Sequence, residues 1–140
     1  MPEERPRFRA LPHTADQVIE AYGDTLAEAF ANAAYGMFSL EADLEAIRET
    51  ETFTVDVAGA TREELLLNWL RELLFLSESR SVVPCAFRVE TIDDTRLRAQ
   101  VSAGPLTESV RLGAPAKAIT YHDLAVTETD GWTVRVTLDV

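Results

Sequence analysis

Two segments of the sequence, Thr25-Leu26-Ala27-Glu28 and Thr61-Arg62-Glu63-Glu64, carry the Thr-x-x-Glu pattern of a capping box. In such a box the Thr oxygen takes one free amide of a helix start and the Glu reaches back to another. Each box opens a run with helical periodicity. Leu26, Ala29, Phe30, Ala33, Met37 and Phe38 form one stripe, and Leu65, Leu66, Trp69, Leu70, Leu73 and Leu74 form a wider face. The remaining patterned segments alternate with period two. Two helices are too few to cover both faces of a sheet of about six or seven strands. The expected fold is therefore α+β and two-layered, with both helices on one face of a mixed, largely antiparallel sheet. The other face should be partly polar.

The strand pattern starts with Arg7 to Leu11 and Gln17 to Tyr22, which flank a turn at His13-Thr14-Ala15-Asp16. Thr52 to Val57 alternates with Phe53, Val55 and Val57 on one side. Cys85, Phe87 and Val89, then Leu97, Ala99 and Val101, predict a hairpin turned at Asp93-Asp94. Residues 106–116 read as a loop or one short helical turn. A second hairpin joins Lys117–Thr127 to Trp132–Val140 through Asp130-Gly131, a tight-turn signal. In its first strand His122 is expected to share a face with Thr120 and Leu124, and Tyr121 with Ile119. In its second, Asp139 falls on the polar side with Thr133, Arg135 and Thr137.

The length of 140 residues predicts one domain over residues 1–140. The formal net charge is -11, and residues 24–78 alone hold 12 acidic against 3 basic side chains. Such a field repels phosphate backbones and argues against tight direct binding to nucleic acid. It suits a basic protein surface instead. No stretch approaches the roughly 20 apolar residues of a membrane span. The single cysteine, Cys85, cannot form an internal disulfide, and the Arg-bearing first residues carry no apolar run. The cytoplasm is the expected location.

Few groups could carry chemistry. Both histidines, His13 and His122, and the only lysine, Lys117, fall in short polar segments that interrupt the amphipathic pattern. Asp16 stands where a turn meets a strand, and Asp139 at the end of the last strand. If those strands lie together, the two carboxylates can share a hard divalent cation such as Ca²⁺, Mg²⁺ or Mn²⁺, which prefers oxygen ligands. The carboxylate of Val140, or the carbonyl of a nearby residue, is a candidate third donor. On the residues alone, a turn-capping Asp16 and a solvated Asp139 are the favoured reading. His13 could orient Asp16 or satisfy a local backbone group, and His122 reads as a packed or cross-strand residue. Asn68 and Glu72, four apart on the second helix, read as a solvated edge. Pro84-Cys85 lacks the rest of a zinc deaminase signature, and there is no Gly-rich phosphate loop or nucleophile elbow.

Taken together, the segments His13-Thr14-Ala15-Asp16, Ala21-Tyr22-Gly23, Leu26 to Phe30, Leu65 to Leu70, Lys117 to His122 and Leu138-Asp139-Val140 resemble the archease family over nearly the whole chain. The resemblance implies a metal-binding protein without catalysis of its own. Archeases promote guanylylation and repeated turnover of the RtcB-type RNA ligase in tRNA splicing and RNA repair. It implies Asp16 and Asp139 as metal carboxylates, Lys117 as an aid to the partner's nucleotide step, and His13 beside the site. The chain departs from the family at Arg111-Leu112, where Arg-His is usual; Leu112 replaces either a contact residue or a packing residue. Two other classes remain as alternatives. One is a free-standing metal-dependent hydrolase, which needs a pocket with a poised base. The other is a chaperone-like module, which needs an exposed apolar patch.

Overall fold

The computed structural model describes residues 6–12 and 16–140. Along the chain run β1 (Phe8–Pro12), β2 (Asp16–Gly23), α1 (Leu26–Ser39), a short 3-10 turn at Leu44–Ala46, β3 (Glu51–Ala58), α2 (Arg62–Arg80), β4 (Val83–Ile92), β5 (Arg96–Gly104), β6 (Ala118–Glu128) and β7 (Trp132–Asp139). The α+β class, the two main helices and the upper of the expected strand numbers are found among the described residues. The strands form two sheets, however, of order β1-β2-β7-β6 and β3-β5-β4. All their pairings are antiparallel, so the expected single mixed sheet is divided and has no parallel component.

Both capping boxes form. Thr25 Oγ1 accepts from the Glu28 amide and Thr61 Oγ1 from the Glu64 amide, each at 3.1 Å. The glutamates reach back one residue further than the cap itself, to the amides of Asp24 at 2.9 Å and Ala60 at 3.2 Å. α2 ends at Ser81, in the left-handed region at φ 56°, and the Ser81 amide returns to the Ser77 carbonyl.

The helices lie against both sheets. α1 packs on β2 and β7 of the first sheet and on β4 of the second, and α2 packs on β6 and β3. That placement explains why Leu65, Leu66 and Leu67 are all buried in succession: α2 has apolar neighbours on more than one side. Trp69, also fully buried, donates its indole N–H to the Phe30 carbonyl at 2.9 Å and so ties α2 to α1. Gly36 lets α1 approach the first sheet, because a Cβ there would stand 2.9 Å from Phe8 Cγ and 3.0 Å from Ile19 Cγ2. No described helix is long and apolar enough to cross a membrane.

The face of β3 and β5 turned from the core is polar, with Arg98 paired to Asp56 at 3.2 Å and Gln100 bonded to Thr54 at 3.0 Å. Residues 106–116 hold a turn closed by the Val110 amide on Thr107, followed by an isolated bridge from Arg111 to Ala42. β6 departs from simple alternation. Thr120 pairs with Thr137 and Ala125 with Arg135, so residues 121–124 stand opposite Val136 alone. Within that bulge Asp123 adopts φ 54°. The expected face shared by Thr120, His122 and Leu124 is therefore broken.

Candidate metal centre

The antiparallel pairing of β2 with β7 brings the start of one strand to the end of the other, and Asp16 is the direct register partner of Asp139. Directly opposed residues share a face and hold their Cβ atoms roughly 4.5–5.5 Å apart, within reach of one cation. On the far side of β7, Ala118 of β6 is also a partner of Asp139. The Lys117 amide donates to the Asp139 carbonyl at 2.7 Å, which pins the lysine's backbone beside the pair. The Lys117 side chain is exposed, as are Asp139 and Val140, whereas Asp16 is half-buried.

Two carboxylates directly across a sheet repel one another, and the basic groups next along this face do not relieve them. Two rungs inward, Glu20 faces Arg135 and holds it at 3.2 Å, and it also takes Arg9 at 3.1 Å. Tyr22 Oη donates to Glu20 at 2.6 Å, and this bond is the largest influence holding the Glu20 carboxyl below its usual range. Burial in turn pushes the Tyr22 phenol up. Asp16 and Asp139 themselves have no ion pair or side-chain hydrogen bond among the described residues. Between the two charged rungs lies Val18 opposite Thr137, a residue 1% exposed whose buried hydroxyl lacks a hydrogen-bond partner among the described residues.

The donor set fits a hard divalent cation: two carboxylate oxygens on one face, open to solvent for the waters such ions retain. No cluster of three or more His, Cys, Asp or Glu side chains occurs among the described residues, so further donors there would be main-chain oxygens, such as those of Val140, or water. His13 lies outside the described residues. His122 is not carried into the Asp16–Asp139 rung. It sits in the β6 bulge, exposed, with Nε2 3.3 Å from Asp123 Oδ2 and its amide on Thr120 Oγ1. Leu112 is 67% exposed and thus not a packing residue. Asn68 lies at the surface, half-buried, and its amide group also donates to the Ala58 carbonyl at 2.7 Å. Sequence reasoning missed the Arg9–Glu20–Arg135 network; its only trace was the position of Glu20 and Arg135 on the polar sides of their strands.

The architecture and this rung define a class: a small α+β protein that presents two unrelieved carboxylates at one end of an antiparallel sheet. The chain belongs to the Archease protein family (MTH1598/TM1083), which it matches over residues 8–140. It is similar to Protein archease of Methanosarcina barkeri, at 34% identity over 100% of both chains. Protein archease of Danio rerio is 31% identical over 96% of this chain and 85% of its own. Among solved structures, the solution structure of Methanobacterium thermoautotrophicum protein 1598 superposes with a TM-score of 0.82 at 31% identity, covering 96% of this chain and 99% of that one.

Proposed function

We propose that this chain is a non-catalytic, metal-binding activator that promotes guanylylation and multiple turnover of an RtcB-type RNA ligase, in tRNA splicing or RNA repair. The observation that carries the reading is the register pairing of Asp16 with Asp139, a like-charged pair without a counter-charge among the described residues. Asp16 and Asp139 would hold a divalent cation, Ca²⁺, Mg²⁺ or Mn²⁺, with an oxygen of Val140 as a third donor. When bound there, such an ion supplies positive charge to a nucleotide triphosphate at the partner's site.

Lys117 is the residue assigned to the partner's nucleotide step. Its backbone is fixed by the Asp139 carbonyl, while its ammonium makes no ion pair among the described residues. His13 would stand beside the carboxylates, and His122 would meet the ligase from the exposed bulge. The acidic stretch at residues 24–78 is suited to dock on a basic groove, so association weakens as salt rises.

The test is covalent attachment of GMP to the cognate ligase, followed with wild type, Asp16→Ala and Asp139→Ala. Wild type should raise the rate, and either variant should return it to that of the ligase alone. Equal rates with all three proteins would remove the reading.

A further inference from the structure

The C-terminal half of α2, the start of β4 and the segment before Lys117 line an open cavity of about 340 Å³. Leu74, Val82, Val83, Leu106 and Ala116 give it a largely apolar wall. Two carboxylates, Glu41 and Glu78, line it, and no basic side chain does so among the described residues. The Ser77 hydroxyl, also in the wall, is committed to the Val82 carbonyl at 2.6 Å.

Glu41 is the unusual member. It is 5% exposed, and its carboxyl accepts no hydrogen bond from any described residue. Its main-chain carbonyl is already taken by the amides of Leu112 and Gly113. The one positive charge that acts on it belongs to Arg111, an exposed residue whose guanidinium lies 3.6 Å from Glu108. Burial pushes the Glu41 carboxyl up from its ordinary value. Neither carboxyl oxygen is among the fully buried unpartnered atoms of the described residues, so the group keeps solvent contact on an otherwise enclosed residue, and it lines the cavity. A mainly apolar cavity of this size with a few polar groups has the form of a ligand pocket.

We propose that this cavity binds an aliphatic cation, an ammonium or guanidinium on an apolar stem, with the charge on Glu41 and the stem along Leu74, Val83 and Leu106. The charge of the lining selects against anions, and the apolar wall selects against a bare metal ion. A free aliphatic amine and the lysine or arginine side chain of a partner offer the same chemistry. The pocket shares no lining residue with the Asp16–Asp139 rung, and its occupancy does not depend on that reading.

The test uses the full chain, isotope-labelled, titrated with hexylamine, with hexanol as its neutral counterpart, and with an end-blocked Ala-Lys-Ala peptide. Hexylamine should shift the amides of Ser77, Val82, Val83 and Leu106 saturably and bind about tenfold or more tighter than hexanol. Glu41→Gln should remove that advantage while hexanol still binds, which shows the pocket intact. Tighter binding of the peptide than of hexylamine assigns the pocket to a partner's side chain, and weaker binding assigns it to a free amine. Equal affinity for hexylamine and hexanol, shifts elsewhere on the molecule, no binding at all, or an unaltered preference in Glu41→Gln would each overturn the proposal.

Discussion

The indole of Trp69 in α2 is hydrogen-bonded at 2.9 Å to the carbonyl of Phe30 in α1, and the same indole meets Phe87 of β4 in a T-shaped contact with ring centroids 6.4 Å apart. One side chain thus joins both helices to the second sheet. Trp69→Phe keeps much of the apolar volume but gives up the bond, and should lower stability by about 1–3 kcal/mol. Trp69→Ala leaves a void and should cost about 3–5 kcal/mol. Denaturant unfolding at constant slope measures both.

The opposition of Asp16 and Asp139 makes a prediction about stability that is independent of any ligase. In chelator-treated buffer, Asp16→Asn should be at least as stable as wild type, because it removes a like-charge pair worth a few tenths to about 1 kcal/mol. On adding Ca²⁺, Mg²⁺ or Mn²⁺ the order should reverse. A cation at 100 times its dissociation constant stabilises the wild type by about 2.7 kcal/mol, and the variant should gain little. Thermal melts with and without the ion read the crossing.

Glu20 carries an acid-range signature. Its folded carboxyl is held below the ordinary value of 4.5, first by the Tyr22 hydroxyl and then by Arg9 and Arg135. A depressed folded value means the contribution is present above the unfolded value and lost as pH falls through the folded one. The stability advantage of wild type over Glu20→Gln should therefore be constant near neutrality and shrink below about pH 4.5. Urea midpoints from neutral to acid pH give the curve.

Cys85 is 7% exposed, and burial pushes its thiol up to about 11. Since the thiolate is the reactive form, iodoacetamide should alkylate the folded chain at pH 8 far more slowly than the urea-unfolded chain. Mass spectrometry of timed samples measures the two rates.

Much of this architecture was readable from local pattern. Capping boxes and periodicity report on one element at a time, and they placed α1, α2 and the strands to within a few residues. The meeting of Asp16 with Asp139 was accessible only as a condition on their strands pairing, and the residues alone favoured a turn-capping Asp16 and a solvated Asp139; the register of β2 with β7 supplies the pairing. The division into two sheets was not, because period-two alternation tells which side of a strand is apolar but not which strand lies beside it. The four residues opposite Val136 escaped notice for a similar reason: Tyr121, His122 and Asp123 continue a plausible alternation, and only the register with β7 shows that they leave it. Nothing local in the sequence marks Glu41, whose carbonyl takes the amides of Leu112 and Gly113 from a segment some seventy residues away.

That interruption in β6 has a bearing on strand addition at the edge of its sheet. β6 is the outermost strand of its sheet, and eleven residues of regular edge would offer a second copy a template for strand addition. The register break at Tyr121–Leu124 divides the row of edge amides and carbonyls into two short pieces, each a poorer template for an intermolecular ladder than an unbroken edge.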